Sequence, residues 1–224
     1  MPEPYRRRRG RHRAVPAIPL LLGAAALCLI AAVLWVLFRD HGPQAEDVPV
    51  PEYMEKDYLT VNPYSRPGDA LEKIDGVVIH YVGNPGTTAR ANRNYFESLS
   101  SGEEGTYASS HFIVGLDGEV IQCVPLTEVA YASNTRNDDT VSIEVCHPDE
   151  TGEFSPVTYA RTVELTAWLC RAFRLDPETD VIRHYDVTGK ECPRYYVEHP
   201  EAWDAFRADV AAETERQNKA EKNS

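Results

Sequence analysis

The chain has 224 residues, 42% of them hydrophobic and 26% charged, with a formal net charge of -12. That suits one globular domain with accessory segments rather than a fibrous or repeat protein. Residues 1–14 hold six arginines and one glutamate, so the rest carries 17 basic against 34 acidic residues. A body this acidic repels phosphate backbones, which excludes nucleic acid as a partner.

Residues 15–38, VPAIPLLLGAAALCLIAAVLWVLF, form an uncharged run of 24 residues. A helix needs about 20 apolar residues to cross a hydrocarbon core of ~30 Å, so this run is expected to span a membrane. The arginine-rich segment 1–14 precedes it and only Arg39 follows closely, so the N-terminus is expected inside and the body extracytoplasmic. The alternatives are a cleaved signal peptide, but the run is long and ends in Trp-Val-Leu-Phe without small residues, and a lipoprotein signal, but Leu27 rather than a small residue precedes Cys28. Residues 39–66 are rich in proline and acidic residues and read as a linker, with the globular domain at 67–210.

Within that domain, residues 76–82 (GVVIHYV) are β-branched and apolar, as in a buried strand. Thr87 or Thr88 can cap a helix reaching about Leu99, with Ala91, Tyr95 and Leu99 on one face. Residues 109–114 and 119–124 flank Asp117-Gly118, a hairpin signal. Residues 140–146 alternate with period two, placing Val141, Ile143 and Val145 opposite Ser142, Glu144 and Cys146. Residues 155–174 read as an amphipathic helix with Val163, Ala167, Leu169 and Cys170 packed, 181–184 as a short strand, and Glu198 to about Val210 as a final helix. The polar tail 211–224 is expected to fray. Strands alternating with helices predict an α/β domain, a mixed central β-sheet flanked by helices.

His80, His111 and His184 fall in or at the ends of predicted strands, and Cys192 follows His184 by eight residues across a loop containing Gly189. Two imidazoles and a thiolate match the three protein ligands of a catalytic zinc site, with a fourth position left for water. Of the other histidines, His41, His147 and His199 read as surface residues. Cys123, Cys146 and Cys170 read as small packing residues, with a Cys123–Cys146 bridge left open.

The stretches VVIHYVGNP, SSHFIVGLDG, SIEVC and RHYDVTGKECP, in this order, resemble the zinc-dependent N-acetylmuramoyl-L-alanine amidases, the family of phage lysozyme-amidases, bacterial autolysins and animal peptidoglycan recognition proteins. The resemblance runs from about Tyr64 to Arg207. It implies that His80, His184 and Cys192 hold one Zn2+, that Glu144 is the catalytic acid/base and that Lys190 stabilises the oxyanion. His111 is then pocket-lining or structural. The implied substrate is peptidoglycan, cut between N-acetylmuramic acid and the L-alanine of the stem peptide. The phage members carry a tyrosine just before the histidine of the HF motif, where this chain has Ser110, so Glu144 is expected to carry the proton chemistry unaided. Two rival readings are a catalytically inactive peptidoglycan-binding sensor on the same fold, which would most simply lack a ligand, and a zinc-stabilised structural domain, which needs a fourth protein ligand.

Overall fold

The computed structural model describes residues 45–223. Segment 1–14 and the apolar run 15–38, read above as a membrane span, lie outside the described residues. Among the described residues no helix is long and apolar enough to cross a membrane.

Six strands form one sheet: β1 (Met54–Lys56), β2 (Val77–Tyr81), β3 (Phe112–Val114), β4 (Val120–Gln122), β5 (Val141–Val145) and β6 (Val181–Arg183). Their order is β1-β4-β3-β5-β2-β6. Only the β3–β4 hairpin is antiparallel; β1–β4, β3–β5, β5–β2 and β2–β6 are parallel. The hairpin turns at Gly118, whose φ of 79° is costly for any residue with a Cβ.

The central strands β2 to β5 are buried on both faces, as expected of strands covered on both sides by packed layers. Val77, Ile79, Phe112, Val114, Val141, Ile143 and Val145 point into one core, where Leu165, Leu169, Trp203 and Phe206 meet them. These last four come from α2 (Pro156–Phe173) and α5 (Pro200–Lys222). Between β6 and α5 lie two short helices, α3 (His184–Thr188) and α4 (Arg194–Glu198). The opposite face packs Ile113, Ile121, Cys123 and Cys146 against α1 (Ala89–Ser98) and the loops around it.

Helix starts follow local chemistry. Thr88 caps α1 by accepting a hydrogen bond from Ala91 N at 3.2 Å. Ser155 caps α2 by accepting from Thr158 N at 3.3 Å, and Pro156 takes the first helical position. The α2 positions expected to pack, Val163, Ala167, Leu169 and Cys170, are all buried.

Three sequence expectations change. On α1 the buried residues are Ala89 and Phe96, with Leu99 just beyond, whereas Ala91 and Tyr95 are exposed. The helical period is as expected, but its phase is set by the sheet beneath it. The stretch 39–66 is not all linker: Met54–Lys56 pairs in parallel with β4, Leu59 N donates to Cys123 O at 2.9 Å, and Leu59 is fully buried. A three-residue edge strand has too short a pattern to show in sequence. The tail does not fray at Ala211, because α5 continues to Lys222 along α2. Gln217 Nε2 donates to Glu164 O at 3.2 Å, and Arg171 pairs with Glu221 at 2.8 Å.

Candidate active site

The period-two alternation that sends Val77, Ile79, Ile143 and Val145 into the helical core sends His80 and Glu144 to the other face of the same two strands. β2 and β5 are parallel neighbours, and their register sets His80 beside Glu144. His80 Nδ1 lies 4.0 Å from Glu144 Oε1.

His184 enters at the first residue of α3, just past the end of β6. Asp186 fixes this turn, its carboxylate accepting from Arg183 N at 2.9 Å and from the Arg183 guanidinium at 2.7 Å. Gly189, at φ 77°, closes the helix, and Tyr185 N donates to Cys192 O at 2.9 Å, pulling the loop back on itself. Cys192 Sγ thereby reaches 3.8 Å from His80 Nδ1, and the His80 and His184 rings sit 4.6 Å apart. One ligand atom from each of His80, His184 and Cys192 lies within 4.8 Å of the others, and all three residues are buried. The expected convergence is therefore present.

The donor set suits a metal on chemical grounds. His184 Nδ1 and Glu144 Oε2 are buried without a hydrogen-bond partner, although such atoms are almost always paired in folded proteins. Burial holds the His80 imidazole well below its ordinary pKa, with His184 and Lys190 adding to the effect, and burial with Lys190 lowers His184 too. Both rings therefore stay neutral, the form that ligates. Burial, reinforced by Glu144, pushes the Cys192 thiol up to about 12 despite Lys190 and a Tyr81 backbone hydrogen bond. A cation at this point would discharge that proton. Two imidazoles and one thiolate form a nitrogen–sulfur set that favours zinc, with one coordination position left over.

These groups line a cleft of about 700 Å3, walled also by Tyr81, Tyr107, Tyr131, Asn134 and Lys190. Burial raises the Glu144 carboxyl to about 8, with the Lys190 ammonium pulling the other way. Lys190 itself is exposed.

Other expectations divide. His111 is structural and does not line the cleft: Ser142 N donates to its Nδ1 at 3.0 Å and its Nε2 donates to Glu128 O at 3.0 Å. Both ring nitrogens are used by the fold, which corrects the pocket-lining reading. His147 is not at the surface; it is buried, stacked on Tyr81 at 5.0 Å, with Nδ1 2.7 Å from Asp149 O. His199 is half-exposed beside Glu201, as expected, and His41 lies outside the described residues. Cys123, Cys146 and Cys170 are free and buried, so no Cys123–Cys146 bridge forms. Ser110 Oγ donates to Phe112 O at 2.9 Å and so is tied to its own strand.

Sequence reasoning missed the segment Ser133-Asn134, which bonds both site histidines, and the tyrosines of the cleft wall. The one available signal was a run of polar residues, Ser-Asn-Thr-Arg-Asn, just ahead of a buried strand.

Residues 70–195 match the family model described as N-acetylmuramoyl-L-alanine amidase. The N-acetylmuramoyl-L-alanine amidase BlyA of Bacillus subtilis strain 168 is 34% identical over 175 residues, covering 69% of this chain and 46% of that protein. The N-acetylmuramoyl-L-alanine amidase CwlL of Bacillus licheniformis is 31% identical over 167 residues, covering 69% and 46%. The chain thus spans about half the length of the curated relatives it matches. Among solved structures, the catalytic domain of XlyA aligns with a TM-score of 0.58 at 27% identity, over 70% of this chain and 98% of that one. The PlyG catalytic domain aligns at 0.60 with 22% identity, over 72% and 94%, a likeness of fold.

Proposed function

The chain belongs to the N-acetylmuramoyl-L-alanine amidase family, and from that premise we propose that it is a zinc-dependent peptidoglycan hydrolase held at the membrane by residues 15–38. The observation that carries the chemistry is the meeting of His80, His184 and Cys192 at one point beside Glu144. The bond cut is the amide joining the lactyl group of N-acetylmuramic acid to the L-alanine of the stem peptide.

His80, His184 and Cys192 would hold a zinc ion, which would supply Lewis acidity to activate water and polarise a carbonyl. Glu144, with Oε2 unpartnered beside His80, is placed to take the proton from the attacking water. A carboxyl whose pKa is raised by burial both accepts and returns a proton near neutrality, so the same group delivers it to the departing alanine nitrogen. The Lys190 ammonium, at the rim of the same cleft, steadies the charge that develops on the carbonyl oxygen, an effect typically worth about 3 kcal/mol. Water adds across the amide: the lactyl group leaves as a carboxylate and the stem peptide as an amine.

Digestion of purified muropeptides with the full-length protein, followed by mass spectrometry, tests the reading. Free stem peptides and sugars with an intact lactyl carboxylate are expected, and cleavage only within the peptide or the glycan would overturn it. The membrane reading rests on the 24 uncharged residues 15–38 and the arginines before them. It places the domain on the extracytoplasmic face, and recovery of the full-length chain in the soluble fraction of lysed cells would remove it.

A further inference from the structure

One short loop touches both histidines of the donor set from behind. Asn134 Oδ1 lies 3.1 Å from His184 Nε2, and Ser133 Oγ lies 3.3 Å from His80 Nε2. The nitrogens on the other side of the two rings face the site: His80 Nδ1 is the atom near Cys192 Sγ, and His184 Nδ1 is buried without a partner. We propose that Ser133 and Asn134 are a positioning pair that holds both imidazoles in the Nε2–H tautomer and so turns both Nδ1 lone pairs onto the metal.

The proposal rests on the zinc reading above and concerns how this chain sets its ligands. A neutral imidazole carries one proton, and the nitrogen bearing it cannot ligate. Whichever nitrogen is given an acceptor keeps the proton. An amide oxygen is such an acceptor, and a hydroxyl is one when its own hydrogen points elsewhere. With acceptors at both Nε2 atoms, the protons stay on the far side and the Nδ1 atoms are bare.

The loop is built to hold this arrangement. Asn137 Oδ1 accepts from Ser133 N at 2.6 Å and from Ala132 N at 3.2 Å. Arg136 N donates to Ser133 O at 3.0 Å, and Asn137 N to Asn134 O at 3.2 Å. Asn134 itself sits in the left-handed region at φ 52°, which asparagine tolerates far better than β-branched or bulky residues do. That backbone turn aims its amide back at His184 although the residue is exposed. His111 supplies an internal parallel, since Ser142 N and Glu128 O dictate its tautomer from both sides. At the site only one side is occupied by the fold.

The test uses the full-length protein and two readouts, zinc affinity by competition with a chromophoric chelator and imidazole 15N shifts of the metal-free form. Asn134→Gly keeps the left-handed backbone and deletes the acceptor; zinc binding is expected to weaken about 10- to 100-fold. His184 should then lose its single-tautomer signature. Asn134→Asp keeps both the backbone preference and an acceptor oxygen, and is expected to restore wild-type affinity and the Nε2–H signature. Ser133→Ala should weaken binding by a smaller factor, because its bond is longer. Unchanged zinc affinity in Asn134→Gly, or a wild-type His184 protonated on Nδ1, overturns the proposal and leaves the amidase reading standing. A wild-type protein that binds no zinc at all removes both. Should Asn134→Gly fail to fold, the wild-type shifts and Asn134→Asp still decide the matter.

Discussion

The two faces of the sheet are made from alternate residues of the same strands, yet they obey opposite rules. On the helical face, Val77, Ile79, Val141, Ile143 and Val145 are fully buried against α2 and α5, and each such side chain contributes roughly 1.5–3 kcal/mol. On the other face the same two strands present the buried His80 and Ser142 and the partly buried Glu144, groups that cost stability unless something satisfies them. The helical face and the apolar cluster around Ile113 and Ile121 offset that cost and hold β2 and β5 in register, and the polar groups receive their geometry from that packing. Within the polar face the contrast repeats. His111 has both ring nitrogens satisfied by the protein, whereas His184 keeps Nδ1 without a partner, facing His80 and Cys192. Burial alone does not separate the two, since both are buried; their hydrogen-bond partners do.

The comparison can be broken by substitutions that should act on one face only. The largest effect is expected from Cys192→Ala, which should abolish stoichiometric zinc and nearly all turnover while the far-ultraviolet circular dichroism stays unchanged. Its partner Glu144→Gln should keep zinc and fold but lose on the order of 10²–10⁴ in rate. Metal analysis beside a turnover assay separates the two, and near-normal turnover in Glu144→Gln would strike it from the mechanism. Next comes Phe206→Ala on the helical face, where loss of a fully buried ring should cost about 3–5 kcal/mol in denaturant unfolding. Zinc affinity of the protein that remains folded should be unchanged. If affinity falls in step with stability, the faces are coupled and the division fails.

The smallest effect concerns pH. Burial lowers the His111 imidazole to about 4, and a proton on Nδ1 would also face the N–H of Ser142. In the unfolded chain the ring titrates near 6.5, so above that pH it is neutral in both states and stability is unaffected. As pH falls from about 6.5 to about 4 only the unfolded state takes the proton, and stability should drop by up to about 3 kcal/mol. His111→Gln, which retains an acceptor and a donor, should flatten this limb in urea titrations at a series of pH values. An unchanged slope would show that other groups set the acid response.

Much of this was legible along the chain. The run VVIHYV, the Asp-Gly turn, the alternation around Glu144 and the α2 stripe each carry their period over enough residues to betray an element, and the four motifs named the donor set. What escaped was either too short or too dependent on partners. Met54–Lys56 is three residues long and is a strand only because β4 offers an edge. The α1 period was visible but its phase was not, since Ala91 and Tyr95 match the helical repeat as well as Ala89 and Phe96 do. The polar tail is helical to Lys222 because α2 supplies partners that its own composition does not announce. His147 looked like a surface residue and is buried because Tyr81, from a distant strand, covers it.

By itself the sequence determined which residue types are available and in what rhythm: apolar alternation that makes a two-faced sheet, and two histidines and a cysteine at the ends of its elements. Only the tertiary structure decided which groups stand at each ring nitrogen, because those groups come from segments far apart along the chain. For the Nε2 atoms of His80 and His184 they come from a loop about fifty residues away along the chain. Hydrogen bonds are directional and short, so they are settled by where elements meet, whereas burial is a collective property that local pattern already encodes.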